Sequence, residues 1–243
     1  MADLTLLYQN VRGLRTKTTE FYLSVLSNDY QIIAITESWL NSEINTSELF
    51  DTRYTVYRRD RSVEVTGCTK GGGLLLAIRS DIQSERIMNL EHSDMCCEHI
   101  WVRYFTGDQS IIIGLLYFPP NRAKNEYKKM TENIIKLAVS ENNILIPGDF
   151  NVRSFNYNEY KDSGIVQDLR CLELYDLIDV AGLTSFNTVV NHQNKFLDLV
   201  LSNLHKVTVR QDMSLVKHAD LYHPPLAVSF TAPERNVFNQ RNR

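Results

Sequence analysis

The chain of 243 residues is 43% hydrophobic and 23% charged, with a net charge of −3 and a sequence pI near 6.1. That is ordinary globular composition, long enough to bury a sizeable core. The acidic balance argues against a wholesale polycation and leaves room only for a local basic patch toward nucleic acid. No window approaches the ~20 apolar residues of a membrane span. The opening "MADLTLLYQN" lacks a basic region and an apolar stretch, so an intracellular protein without a signal peptide is expected. The four cysteines, Cys68, Cys96, Cys97 and Cys171, contain no C-x-x-C pair, and reduced thiols are expected.

In chain order, "LTLLYQNV" reads as a strand ending in polar groups, and "TKTTEFYLSVLSND" as a short helix carrying Phe21, Leu23, Val25 and Leu26. "QIIAITES" (31–38) is a second apolar run with a polar end. "YTVYRRD" (54–60) alternates, and "GGGLLLAI" (71–78) enters a strand through glycines. "HIWVRYF" (99–105) and "SIIIGLLYFPP" (110–120) predict a hairpin turning at Gly107–Asp108. In 125–142, Tyr127, Met130, Ile134 and Leu137 share a helical face. "ILIPGDFN" follows as a strand, 169–183 as a helix closing near Gly182, 194–203 as a strand, and "PPLAVSF" (224–230) as the last strand. Strands dominate, with three helices interspersed. An α/β sandwich is therefore expected, with two mixed sheets face to face and helices outside. One domain over 1–232 and a polar tail or linker over 233–243 complete the expectation.

The apolar strands share a habit of ending in polar residues: Asn10, Glu37, Tyr117, Asp149 with Asn151, and Asp198, while Asp220 and His223 precede the last strand. Strand ends are where an α/β fold gathers a ligand site. Each residue alone has a plainer explanation. Asn10 can close a turn before Gly13, Asp149 can take local amides after Gly148, and His223 can be a turn residue beside two prolines. Together they suit phosphodiester hydrolysis. Glu37 is a hard oxygen ligand of the kind Mg²⁺ takes. Asp149 can orient or deprotonate a water fixed by Asn151, and His223, held by a carboxylate, can donate to phosphate oxygens as charge builds.

"QNVRGL", "ITES", "GLLYFPP", "GDFN", "LDLVLS" and "YHPPL", in that order over residues 8–226, resemble the exonuclease–endonuclease–phosphatase superfamily. "YQNVRGLRTKT", "LTSFNTVVNHQNKFLDLVLSN" and "DLYHPPL" are similar, more narrowly, to the endonuclease domain of non-LTR (LINE-like) retrotransposons. The resemblance implies a DNase I-like four-layer α/β sandwich and a Mg²⁺-dependent (or Mn²⁺-dependent) DNA endonuclease. Such a domain nicks one strand of nuclear target DNA and leaves a 3′-hydroxyl primer for a reverse transcriptase elsewhere in the polyprotein. It also implies the roles: Glu37 as principal metal ligand, Asn10 at the metal end, and Tyr117 on phosphate. Asp149 and Asn151 handle the water, Asp198 holds His223, and Asp220 extends toward the metal. Two positions depart from the pattern. Arg12 stands where repair-type members carry an acid, and Tyr222 separates Asp220 from His223.

For double-stranded DNA as partner, the expected contacts are Arg12, Arg15, Arg58 and Arg153, with others such as Lys17, Arg59, Arg61, Lys70 and Arg122. A hairpin between 185–190 and 195–201, turning at Asn191–Asn194, would bring His192 and Gln193 to the minor groove and so bear on site choice. Other phosphodiesterases of the same fold, acting on abasic DNA, phospholipid or inositol phosphate, remain alternatives at this stage. So does an inactive DNA- or protein-binding module.

Overall fold

The computed structural model describes residues 3–61, 71–91, 97–107 and 109–231. The expected 232/233 boundary, Lys70, Cys68, Cys96 and Asp108 lie outside them. The elements run β1 (Asp3–Asn10), α1 (Thr18–Ser27), β2 (Ile32–Thr36), β3 (Tyr54–Arg59), β4 (Leu74–Arg79), β5 (Ser84–Arg86), β6 (Glu98–Thr106) and β7 (Gln109–Tyr117). They continue α2 (Lys124–Ser140), β8 (Ile144–Asp149), α3 (Tyr157–Ser163), α4 (Leu169–Val180), β9 (Thr184–Ser185), β10 (Asp198–Ser202), β11 (Val207–Gln211) and β12 (Leu226–Thr231).

Two six-stranded sheets result, ordered β11-β12-β1-β2-β4-β3 and β5-β6-β7-β8-β10-β9. Each centres on a parallel pair, β1 with β2 and β7 with β8, flanked by antiparallel neighbours. Strand alternation builds the layers. Leu6, Tyr8, Ile32, Ala34, Leu74 and Leu76 face Ile100, Val102, Ile111, Ile113, Leu115 and Val200 between the sheets. The opposite faces of the same strands, Leu7, Ile33, Ile35 and Leu75, take Phe21 and Val25 of α1. Ile112, Leu116, Ile144 and Ile146 take Met130, Ile134, Leu174 and Leu177 of α2 and α4. At about 1.5–3 kcal/mol for each fully buried large apolar side chain, this stacking is the main favourable term. The four-layer sandwich expected from the sequence is what forms.

The helices start and stop for local reasons. Asp168 caps α4 by accepting the Arg170 amide at 2.9 Å, and Glu126 returns to the Ala123 amide at 2.9 Å at the head of α2. The unexpected helix is α3. It spans seven residues, capped by Asn156 and stopped by Gly164 at φ 66°, too short for an apolar period to reveal. The short strands β5 and β11 were also not expected, since three to five residues carry little alternation.

Sheet geometry then places the strand ends. Because β1 and β2 are parallel, Asn10 and Thr36 finish side by side. Parallel β7 and β8 finish together at Tyr117 and Asp149, and antiparallel β10 begins there, Asp198 opposite Asp149. Antiparallel β12 starts at Leu226 opposite Tyr8, so its lead-in, with His223, arrives at the same end.

Candidate active site

Tyr117, Asp149 and Asp198 form one row across three neighbouring strands, set by register alone. Gly148 lets β8 close on β7: a Cβ there would lie 2.5 Å from the Leu116 carbonyl oxygen. The other sheet meets this row through Asn10, whose Nδ2 donates to Asp149 Oδ2 at 3.0 Å. The other Asp149 oxygen accepts the Asn151 amide at 3.0 Å. Asn151 sits at φ 51°, and its Nδ2 is anchored on the Phe118 carbonyl at 2.8 Å. The side chain keeps a second N–H and a carbonyl oxygen for a ligand.

His223 presents Nδ1 to both Asp198 oxygens, at 2.9 and 3.1 Å. A carboxylate only accepts, so that nitrogen carries a proton. Nε2 is left 3.8 Å from Asp149 Oδ2. Tyr8, which the sequence reading did not single out, donates its hydroxyl to Asp198 at 2.7 Å and lies 3.2 Å from the Thr36 hydroxyl. Asn187 holds the Asp198 carbonyl at 2.6 Å. The signal for Tyr8 was available: its place in β1 is two residues before Asn10, on the same face.

All three of Asp149, Asp198 and His223 are buried. Burial pushes the Asp149 carboxyl up to about 8, reinforced by the charges of Asp198 and Glu37 and opposed by His223 and the Asn10 hydrogen bond. For His223 burial acts downward, but the carboxylates of Asp198 and Asp149 outweigh it and hold the imidazole up near 10, well above its usual range. The two groups titrate as a pair. A carboxylate raised in this way is a stronger base than one in water.

Glu37 lies beyond β2 with left-handed backbone at φ 57°. It is 9% exposed and accepts the Trp39 indole N–H. Burial raises its carboxyl, eased by Trp39, Arg61 and the Gly72 amide. Its turn is clamped from both sides: Gly13 donates to the Glu37 carbonyl at 2.7 Å, and Ser38 and Trp39 donate to Gly73 and Gly72 at 3.0 and 2.9 Å. Gly13 is obligatory here at φ 93°, since a Cβ would come within 2.7 Å of the Trp39 ring.

Asp149, Asp198 and His223 bring ligand atoms within 4.8 Å of one another, so the described residues include a buried cluster able to hold a cation. Asp198 and the histidine Nδ1 are, however, spent on each other. The oxygen donors suited to a hard cation are the buried carboxylates of Glu37 and Asp149, both raised by burial. These residues fit a divalent metal. Asp220, expected to reach the metal end, is paired with Arg12, its Oδ2 2.5 Å from Nε.

The expected DNA contacts divide. Arg12, Arg15, Arg153, His192 and Gln193 are exposed, though Arg15 Nε also donates to the Trp39 carbonyl. Arg58 is not free for phosphate. Its guanidinium holds Asp60 at 2.6 and 2.7 Å, the Ile44 carbonyl at 2.5 Å and the Asn41 carbonyl. Tyr117 is buried between the sheets, with the Arg61 guanidinium 5.6 Å from its ring centroid. The hairpin is shorter than expected. Only Thr184–Ser185 pairs with β10 as strand, while Asn187 and Asn191 bond the intervening backbone with their side chains in place of a ladder. Its tip is a tight turn, Asn194 at φ 57° with its amide on the Asn191 carbonyl at 2.8 Å.

The fold is shared with solved endonucleases and with an endonuclease/exonuclease/phosphatase family protein. Residues 111–223, from β7 through His223, match the family described as Endonuclease-reverse transcriptase, which bears out the resemblance read in the motifs. Among solved structures the chain is similar to the endonuclease domain of TRAS1, a telomere-specific non-LTR retrotransposon. The TM-score is 0.70 at 16% identity, covering 95% of this chain and 99% of that one. It is also similar to the AP endonuclease LMAP from Leishmania major, with TM-score 0.68, 11% identity, and 95% and 88% covered. A third likeness is to D. rerio TDP2 complexed with single-strand DNA product, at TM-score 0.56, 13% identity, and 96% and 100% covered. No curated protein matches the sequence.

Proposed function

We propose that the chain is a Mg²⁺-dependent DNA endonuclease, also served by Mn²⁺, from a non-LTR retroelement. It nicks one strand of double-stranded target DNA in the nucleus and leaves a 3′-hydroxyl that primes the reverse transcriptase of the same polyprotein. The observation that carries this reading is the Asp149–Asp198–His223 cluster bridged to the second sheet by Asn10, within a segment matching the Endonuclease-reverse transcriptase family. The likeness to TRAS1 supports the retroelement context.

Bound metal, held by Glu37 and Asp149, would supply Lewis-acid polarisation of the scissile phosphate. Asp149 takes the proton of the attacking water, its basicity enhanced by burial. Asn10 fixes which way that carboxylate faces. Asn151 orients water and phosphate with the amide atoms left over from its anchor on Phe118. His223, cationic and steadied by Asp198, directs Nε2–H to a non-bridging oxygen as negative charge builds. Tyr117, one strand from Asp149, contacts phosphate from the side.

Incubation with supercoiled plasmid and Mg²⁺ tests the proposal. Nicked circles whose 3′ ends a polymerase extends are the expected product, and Asp149→Ala should not form them. Absence of nicking, or equal nicking by the variant, sinks it. The likeness to an AP endonuclease makes abasic-site repair the second reading. The Arg12–Asp220 ion pair disfavours it, because a cation stands where repair-type members carry an acid. Preference for abasic over intact duplex would reverse the ranking.

A further inference from the structure

The two departures from the motif pattern, Arg12 and the Tyr222 spacer, are neighbours in space. Arg12 follows β1 with left-handed backbone at φ 44°, and its amide donates to Asn10 Oδ1 at 3.1 Å. Its Nε lies 2.5 Å from Asp220 Oδ2, a charge contact not aligned as a hydrogen bond, the carboxylate side chain 11% exposed and the arginine 54%. The same guanidinium sits 5.7 Å from the Tyr222 ring centroid. Asp220 folds the turn that delivers the histidine: Oδ1 accepts the Tyr222 amide at 3.0 Å, and its carbonyl accepts the His223 amide at 3.0 Å.

From the far side the hairpin tip grips this turn. His192 directs its amide at 3.2 Å and its ring Nδ1 at 2.9 Å toward the Leu221 carbonyl, and Asn191 Nδ2 donates to the Tyr222 carbonyl at 3.2 Å. The His192 and Tyr222 rings meet edge to face, centroids 4.2 Å apart. A closed circuit results. Asp149 is held by Asn10, Asn10 by the Arg12 backbone, Arg12 by Asp220, and Asp220 carries His223 back to within 3.8 Å of Asp149.

We propose that Arg12 and Asp220 are a paired strut that positions His223, so that Asp220 is a positioning residue and not a metal ligand, and Arg12 is only secondarily a phosphate contact. This rests on the nuclease reading above. The physical reason is asymmetric: without Arg12 the enclosed Asp220 carboxylate is left uncompensated, and without the Asp220 charge the half-exposed Arg12 side chain is released to solvent. The turn then relaxes, and His223 moves away from the point where Asp198 and the phosphate both reach it.

Arg12→Ala, Asp220→Asn and the double variant test this with plasmid nicking. Each single change should lower kcat by about 10- to 100-fold, the loss typical of a misplaced catalytic group. The double variant should lose no more than either single. KM for DNA and the Mg²⁺ concentration for half-maximal rate should stay within about twofold, and Arg12→Lys should recover part of the loss. Additive losses overturn the strut, as does an Arg12→Ala effect confined to KM, or a rise of Mg²⁺ requirement in Asp220→Asn alone. A measurement independent of nicking separates failure of the strut from failure of the nuclease reading. In ¹⁵N-histidine spectra of metal-free protein, Arg12→Ala and Asp220→Asn should both perturb the His223 ring signals, assigned with His223→Asn, while exposed His205 stays unchanged. Unperturbed His223 signals refute the strut whether or not the wild type nicks DNA.

Discussion

The Asp149–Asp198–His223 side of the site and the Glu37 side are built by different means. The first hangs on ladder register: Tyr117, Asp149 and Asp198 are cross-strand partners, and nearly every polar atom has a fixed mate. The second hangs on loops in which three non-glycine residues, Arg12, Glu37 and Trp39, have positive φ. Such conformations cost of order 1–3 kcal/mol each and persist only where surroundings enforce them. The lesson is a division of labour. Register gives Asp149, Asp198 and His223 a rigid frame, and strained loops aim Glu37, the carboxylate that would join Asp149 on a metal.

The largest effect should come from breaking the rigid side. Asp149→Asn keeps the size and the Asn10 contact but removes the base, and nicking should fall about 10³-fold, as measured by single-turnover plasmid cleavage. A loss below tenfold would mean that the water is activated elsewhere.

Asp198→Asn should cost less, about 10²-fold, and it carries a pH signature. Before metal binds, burial and the neighbouring carboxylates raise Asp149 and His223 as a coupled pair. A rate that needs basic Asp149 and cationic His223 should therefore be bell-shaped in pH. The Asp198 charge raises both groups. Removing it lowers both, so both limbs of the bell move toward lower pH. Limbs that stay in place would show that neither group titrates in the rate-determining step.

The contrast also explains what could be read in the sequence. Apolar runs with polar ends announced β1, β2, β7, β8 and β10, and so the row Tyr117–Asp149–Asp198, because period-two patterning and register survive in a linear reading. Asn10, Glu37 and His223 were found the same way. The contact of Asp220 with Arg12 was not legible, because the path of a six-residue lead-in to β12 follows from side-chain bonds that no periodicity encodes. Arg58 shows the same limit: its position beside Arg59 suggested a basic surface, yet loop carbonyls consume it. Tyr8 was legible and overlooked, its hydroxyl hidden within an apolar pattern.

A milder change sharpens the loop side. Gly13→Ala places a methyl against the Trp39 ring in a backbone region that side chains rarely adopt. It should cost about 1–3 kcal/mol by denaturant titration. Trp39 donates to Glu37, so the displacement should also raise the Mg²⁺ needed for half-maximal nicking several-fold, with the rate at saturating Mg²⁺ nearly preserved. A fall in saturating rate with unchanged Mg²⁺ dependence would mean that Glu37 belongs functionally to the rigid side.

The smallest effect on activity is expected at Arg58, and it tests whether a basic side chain near the site belongs to the DNA interface. Phosphate contacts are read out by salt: each one lost reduces the slope of log affinity against log salt by nearly one. Arg58 ties the 41–44 segment, just past Glu37 and Trp39, to Asp60, and its side chain is only 16% exposed. Arg58→Ala should therefore lower stability by about 1–2 kcal/mol through lost charge-assisted bonds, while the salt slope of DNA binding stays as in the wild type. Arg153→Ala, at an exposed arginine two residues beyond Asn151, should do the reverse, flattening the slope with little change in stability. If instead Arg58 flattens the slope, the loop it braces opens when DNA binds, and the strained side of the site is the mobile one.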